Sequence, residues 1–305
     1  MRVGICYTKK SPECFRWIEA FKKGVVLSGD RVIDIVFERH VPLLNNCDVS
    51  FQICEHDFSN SEDSLFRKRI KAHQELSGKR RIILDVGFIR GGKGEPFDER
   101  YMSLNIDSIK RSGTSCNDRP SDRWDKLNID LPVWRTSGDH ILVLGQTEHG
   151  IGTLNLREQG KSLIDWSQET LVRLRELSDR PIIYKPHPAQ VNLPKMVKNS
   201  TIFNSRGRYN IKDALNNCWC TVASASNGAC DSIVSGIPVI TENEMSVAYD
   251  VSDNDLKNVE NPRTTDIKKW LNNISYRQWN IKETKAGEAW NHLKKELEKK
   301  DGGGL

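Results

Sequence analysis

Cys220-Thr221-Val222-Ala223-Ser224-Ala225-Ser226-Asn227-Gly228-Ala229-Cys230-Asp231, followed by Ser235-Gly236-Ile237-Pro238-Val239-Ile240, is the stretch whose reading decides the fold. Cys220–Ala223 is a short apolar run that reads as a buried strand, and Ala229–Ser235 reads as a helix entered through a loop of small hydroxyl residues and a glycine. Pro238–Thr241 is a second apolar strand. A strand, a helix and a strand in this order make a βαβ unit, whose strands lie parallel. The pattern continues upstream with Ile141–Leu144 as a strand, Ser167–Leu177 as a helix, Pro181–Tyr184 as a strand and Ile211–Asn216 as a short helix. The first half of the chain alternates in the same way. Val3–Tyr7, Val32–Phe37, Val49–Ile53 and Arg81–Val86 read as strands. Glu13–Leu27 reads as a helix with Phe15, Ile18, Phe21 and Val25 at helical spacing, and Ser61–Leu76 as a basic helix closed by Gly78.

Two such series imply an α/β chain of two Rossmann-like domains facing across a cleft. Residues 1–125 form the expected first domain, 126–138 a polar linker with Pro132, 139–285 the second domain, and 286–305 a C-terminal helix with a disordered glycine tail. The length of 305 residues suits two cores. No apolar run approaches the roughly 18 residues that span a bilayer, and the N-terminus reads as a strand instead of a leader, so the expected location is the cytoplasm. The eight cysteines contain no C-x-x-C pair, and Cys218-Trp219-Cys220 has the wrong spacing for a zinc site, which leaves reduced, mostly buried thiols. Formal net charge is +5, yet nine basic residues fall between Arg67 and Lys93 against Glu75 and Asp85 alone. This cluster reads either as a footprint for an anionic partner or as a solvated helix face.

Three loops of the second half follow predicted strands, where an open α/β sheet places its ligand. Gly145-Gln146-Thr147-Glu148 offers close backbone approach and side-chain hydrogen bonds, or merely a turn. In Tyr184-Lys185-Pro186-His187-Pro188 two prolines deny helical geometry and hold an imidazole beside an ammonium, a pair suited to a phosphate or a sugar carboxylate. In Ser224–Asp231 the hydroxyls and Gly228 at a strand-to-helix junction suit an anion, with Asp231 one turn in as an acceptor for ribose hydroxyls; plain capping by Ser226 or Asn227 is the other reading. Asp253-Asn254-Asp255 has the Asp-x-Asp look of a metal site but follows no strand and reads as a polar turn or a helix cap, so no metal site is expected. Trp124, Trp134 and Trp166 are candidates for stacking on a sugar or base, with core packing the competing assignment.

The order Gly-Gln, Lys-Pro-His-Pro, Ser-x-Ser-x-Gly and Gly-x-Pro-Val-Ile resembles the bacterial capsule-polysaccharide transferases, namely the Kdo transferases and more distantly the polysialyltransferases. Leu84-Asp85-Val86-Gly87-Phe88-Ile89-Arg90 and Tyr101–Asp107 are similar to that group's acidic-acidic-Gly-Phe-x-Arg segment. The resemblance covers about residues 82–113 and 140–241. It implies a GT-B fold, a nucleotide-sugar co-substrate (CMP- or UDP-linked) and no further cofactor. It implies that His187 with Ser224 or Ser226 grips the donor phosphate and that Asp85 faces it from the acceptor side. Two positions depart from the group: its second acid is Val86, and its glutamate on the nucleotide-binding helix is Asp231.

Glycosyl transfer without a metal needs fixed donors for the leaving phosphate, which His187, Lys185 and the N–H groups near Ser226–Gly228 would supply. Gly145, Gln146 and Asn227 complete the expected donor site, and Asp85 is the expected base for the acceptor hydroxyl. Arg67, Arg69, Arg90 and Lys93 would steer an anionic polymer. Small size and the basic first domain favour duplex DNA carrying hydroxymethylated bases, as in phage enzymes, with a surface glycan the close second. Other readings are a nucleotide-sugar epimerase and a non-catalytic nucleotide-sugar-binding protein.

Overall fold

Strand β1 (Arg2–Cys6) sits inside a sheet because four of its five residues are buried, and it pairs in parallel with both β2 (Arg31–Ile35) and β3 (Val49–Ile53). The computed structural model describes residues 1–8, 12–36, 38–54, 61–89, 99–111, 118–148, 151–203 and 211–301. Two units follow from its internal contacts: Met1–Arg123 with Asn272–Leu305, and Trp124–Leu271.

In the first unit helix α1 (Pro12–Leu27) lays Ile18, Phe21 and Val25 on the sheet, with Phe21 stacked on Phe51 at 4.1 Å between centroids. Helix α2 (Glu62–Ser77) begins at Ser61, whose hydroxyl accepts from the Ser64 N–H, and stops at Gly78 with φ 67, a conformation glycine adopts without strain. β4 (Arg80–Val86) joins β3 in parallel. β5 (Tyr101–Ile106) then runs antiparallel to β4, placing Asp85 opposite Ser103. The first sheet is therefore mixed, contrary to the all-parallel expectation. The intervening sequence is glycine-rich and has no apolar periodicity that would supply the crossover helix a parallel neighbour requires.

The division between units falls inside α3 (Asp122–Lys126), and the stretch 126–138, expected as linker, belongs to the second unit. Arg135 donates from its backbone to Gly236 and from its guanidinium to the carbonyls of Leu215 and Cys218. β6 (His140–Leu144), β7 (Ile182–Lys185), β8 (Ser200–Ile202), β9 (Cys218–Ala223) and β10 (Val239–Ile240) form a five-stranded parallel sheet in the order β10-β9-β6-β7-β8. Between them run α4 (Leu154–Glu158), α5 (Leu163–Leu177), α6 (Ile211–Leu215) and α7 (Gly228–Val234). α5 starts four residues earlier than its apolar pattern suggests because Ser162 and Asp165 form a capping box. Leu171 and Leu174 of α5 pack with Ile141, Val143, Ile182, Tyr184, Cys220 and Val222 on one face. On the opposite face Ser232 of α7 donates to Thr221 at 2.9 Å.

Helix α8 (Lys268–Ser275) leads the chain back to the first unit. β11 (Gln278–Asn280) pairs antiparallel with β5, and α9 (Ile281–Lys285) and α10 (Glu288–Asp301) pack there. Residues 272–285 thus lie in the first unit, whereas the expected second domain extended to 285.

Candidate functional site

The three loops singled out from the sequence emerge at the C-terminal ends of β7, β6 and β9, which are neighbours in that order. Strand spacing places the outer two about 10 Å apart with the β6 loop between them. The middle loop is tied to both sides. The Gly145 N–H donates to the Lys185 carbonyl at 2.9 Å, and the side-chain oxygen of Gln146 accepts from the Ala225 N–H at 3.3 Å. Gln146 is itself buried and donates to the Gly152 carbonyl at 3.2 Å. Gly145 is required by crowding: a Cβ there would lie 2.4 Å from Gln190 Oε1 and 2.8 Å from Tyr184 Oη.

His187 is held in one tautomer. The Ala189 N–H donates to its Nδ1 at 3.1 Å, so Nδ1 carries no proton and Nε2–H is the free donor. Burial, and then the Lys185 ammonium, hold the imidazole below its ordinary pKa. Lys185 is buried too; burial lowers its pKa, opposed by the Asp231 carboxylate. Asp231 is pushed up to about 7 by burial, against the pull of Lys185 and Lys212. Near pH 7 the imidazole is neutral and the carboxyl about half-ionised, so the negative charge facing Lys185 is reduced, which suits an anion.

Side-chain alternation separates Ser224 from Lys185. Cys220 and Val222 face α5, and Ser224 just past β9 borders a cavity on that side, while Tyr184 faces α5 and leaves Lys185 on the α7 face. Ser224 is 2% exposed; its Oγ accepts from Asn243 Nδ2 at 2.8 Å and its carbonyl accepts from Thr241 Oγ1 at 2.7 Å. It borders a cavity of about 160 Å³ together with Asn155, Trp166, Arg173, Ile240 and Asn243. Ser226 is half-buried and its hydroxyl accepts from the Gly228 N–H at 3.4 Å. The expected row of free N–H groups is shorter than the sequence suggests, because those of Ala225, Gly228, Ala229 and Cys230 already donate within the unit. Asn227 is exposed and its side chain caps nothing, so the capping reading fails at that residue.

In the first unit Asp85 is half-buried at the end of β4 and its carboxylate accepts from the Val86 N–H at 2.7 Å. Arg90 and Lys93 lie outside the described residues. The rest of the basic cluster is spent on internal partners. Lys71 pairs with Glu75 at 3.5 Å, Lys79 donates to the carbonyls of Leu44 and Asn45, Arg80 pairs with Asp107, and Arg81 is buried against the Asp107 carbonyl. Arg67, Lys68 and Arg69 also have partners.

No family model matches the chain, and no curated protein sequence matches it. Among solved structures, the beta Kdo 2,4 transferase of Thermosulfurimonas dismutans KpsC superposes with a TM-score of 0.55 and 15% identity, over 96% of this chain and 98% of that one. The beta Kdo 2,7 transferase of the same organism's KpsC gives 0.53 and 14%, over 95% and 99%. The chain has the GT-B fold of these transferases. A UDP-GlcNAc 2-epimerase from Methanocaldococcus jannaschii, solved with UDP-GlcNAc and UDP, reaches only 0.35 at 9% identity over 96% of this chain and 99% of that one, too little to argue from.

Within this GT-B fold several supporting residues have weak sequence signals. Gln190 and Asn243 are single polar residues past a strand, and neither belongs to a motif; Thr241 carries no signal beyond closing an apolar strand. Asp253 is not in a turn but makes a single parallel bridge to Ile240; its carboxylate accepts from Asp255, Asn258 and Arg263, and Asp255 caps the short helix after it, as the other reading expects. Of the stacking candidates, Trp124 is buried and the Trp134 indole donates to the Thr265 carbonyl, while half-buried Trp166 lines the cavity beside Ser224. Among the described residues, no helix is long and apolar enough to cross a membrane. The buried thiols of Cys6, Cys218 and Cys220 are pushed up by desolvation, which makes them poor nucleophiles.

Proposed function

We propose that the chain is a glycosyltransferase that moves a sugar from a CMP- or UDP-linked donor, bound by the second unit, to a hydroxyl of a glycan. The observation that carries this reading is the His187 tautomer. A neutral imidazole whose Nδ1 is occupied by the Ala189 N–H presents Nε2–H beside a buried ammonium, which is the arrangement a leaving phosphate requires. In the proposed step Asp85 takes the proton of the acceptor hydroxyl as its oxygen bonds to the anomeric carbon. The bond from that carbon to the phosphate oxygen breaks, and the phosphate leaves with the electron pair. His187, Lys185 and Ser226 meet the new charge. Ser224 donates to the nucleotide from the adjoining cavity, whose volume of about 160 Å³ is below the ~300 Å³ of a full ligand cleft and so admits only part of the donor.

A glycan acceptor is favoured over duplex DNA because Lys71, Lys79, Arg80 and Arg81 of the cluster that suggested DNA are bonded within the first unit. Melting temperature measured with CMP, UDP, GDP and their sugars tests the donor, since a ligand of the native state raises it by mass action. A rise with one pyrimidine nucleotide family is expected, and no rise with any would end the reading. Donor consumption that needs a glycan supports transfer. Consumption with no acceptor present would favour an epimerase, and consumption that requires DNA would restore the other acceptor.

A further inference from the structure

Asn243 stands at the centre of a small amide and hydroxyl network. Its Nδ2 donates to Ser224 Oγ at 2.8 Å and to Asn155 Oδ1 at 2.9 Å, which uses both of its hydrogens. Its Oδ1 accepts from the Met245 N–H at 3.0 Å, and its own N–H donates to Thr241 Oγ1 at 3.2 Å. Thr241 Oγ1 in turn donates to the Ser224 carbonyl at 2.7 Å. Asn243 is 5% exposed and Ser224 2% exposed, so both side chains are buried within this network. The orientation of the amide is fixed by the chain of bonds: Oδ1 faces a backbone donor, hence Nδ2 must face Ser224.

One chemical consequence follows for Ser224. A hydroxyl that accepts from a fixed amide keeps its single hydrogen for another acceptor. Among the described residues that hydrogen has no partner, and the side chain borders the cavity on the α5 side of the β9 end, lined also by Asn155, Trp166 and Asn243. We infer that Asn243 is a positioning residue that sets the Ser224 hydroxyl as a hydrogen donor to the bound nucleotide. The inference rests on the donor-site reading above and extends it to a residue outside every sequence motif. Asn155 and Thr241 hold Asn243, and Asn243 acts through Ser224.

The experiment is a double-mutant cycle on nucleotide affinity, with CMP and UDP as the probes and calorimetry as the readout. Ser224→Ala removes the donor and weakens binding of the preferred nucleotide roughly 10-fold, the order expected for one hydrogen bond to a charged or strongly polar group. Asn243→Ala leaves the hydroxyl free to rotate and weakens binding about 3- to 10-fold. The double variant matches Ser224→Ala within about twofold, because the second change removes nothing that still acts. Asn243→Asp keeps the shape of the side chain but replaces the donor with an acceptor. The Ser224 hydrogen then turns to the new carboxylate, so affinity falls at least as far as in Ser224→Ala, and the melting temperature falls too because the buried carboxylate meets Asn155 Oδ1 where a donor stood. A merely structural Asn243 would show the lowered melting temperature with unchanged affinity. Unchanged affinity in Asn243→Asp, or single losses that multiply in the double variant, overturns the inference alone. A parent chain that binds neither nucleotide overturns the donor-site reading along with it.

Discussion

The hydroxyl of Tyr184, buried at the penultimate position of β7, donates to Gln190 Oε1 at 3.0 Å. The same oxygen accepts from the His187 N–H at 3.4 Å, and the His187 carbonyl accepts from the Gln190 N–H at 2.9 Å. Gln190 therefore closes the turn that carries the imidazole, and Gly145 on the neighbouring strand end is what leaves room for it. Its missing Cβ would fall 2.4 Å from Gln190 Oε1, 2.8 Å from Tyr184 Oη and 3.2 Å from Pro186 Cα.

Gly145→Ala should accordingly push the histidine turn out of place. Overpacking of this kind costs about 1–3 kcal/mol, visible as a lower urea midpoint. Nucleotide affinity should fall by about tenfold or more even where the variant is fully folded. Because the Gly145 N–H to Lys185 carbonyl bond survives the change, the sheet itself should keep its circular dichroism. A variant that binds nucleotide as the parent does would show that the turn adapts without moving His187.

The protonation of His187 gives a pH-dependent prediction. Its folded pKa lies below the ordinary 6.5, through burial first and Lys185 second. Above 6.5 the ring is neutral in folded and unfolded chains and contributes no penalty. As pH falls below 6.5 the unfolded chain binds a proton that the folded chain refuses, so stability declines toward the folded pKa. His187→Gln removes this titration. Its urea midpoint should fall less than the parent's between pH 7.5 and pH 5.5; because the glutamine amide still donates from Nε2, His187→Ala is the variant whose nucleotide affinity falls, about 10- to 100-fold, through loss of that donor.

Asp231 carries the opposite sign. Its folded pKa is raised from 3.8 to about 7 by burial, with Lys185 and Lys212 opposing. Below 3.8 the carboxyl is protonated in both states. Between 3.8 and 7 the unfolded chain ionises while the folded chain does not, so stability is lost as pH rises and the loss levels off above 7. Asp231→Asn should be more stable than the parent at pH 8 by an amount on the order of a few kcal/mol, and equal to it near pH 3.5. If the donor phosphate binds beside this group, parent affinity should also drop as pH rises through 7, and the asparagine variant should lack that drop.

The legible part of this molecule is the part set by local rules. The second sheet is visible because each strand is an uninterrupted apolar run and each following loop carries Gly, Pro or Ser. The sites at Gly145, Lys185, His187 and Ser224–Asp231 are brought to one sheet edge by that topology alone. What stayed hidden depends on pairing between distant residues. β5 is Tyr101–Ile106, whose alternation holds Ser103 and Asn105 on buried positions, so its polar residues conceal a core strand. β11 is three residues long and exists only because β5 offers it an edge. The partners of the basic cluster are invisible in sequence, because Asp107 and the Leu44 carbonyl that engage Arg80 and Lys79 lie 27 and 35 residues away.

The return of the C-terminal residues to the first unit has one electrostatic anchor that can be tested. Asp30 is buried between β2 and α10, where it accepts from the Trp290 indole at 2.7 Å and the Lys294 ammonium at 2.9 Å, and it also pairs with the amino group of Met1. Burial by itself would raise its pKa; the hydrogen bonds to Met1, Lys294 and Trp290 outweigh burial and hold it below the ordinary carboxylate value. The stability it contributes is therefore complete above pH 3.8 and is lost as pH falls through the lower folded value. Asp30→Ala strands the Trp290 N–H and the ammonium, and breaking a buried pair in this way costs about 3–5 kcal/mol. Asp30→Asn keeps one acceptor for the indole and should cost less. Amide exchange should show the difference directly: α10 opens in Asp30→Ala while the parallel sheet of the second unit keeps its protection. Loss of protection spread evenly over both units would mean that Asp30 is not what fastens α10 to the first sheet.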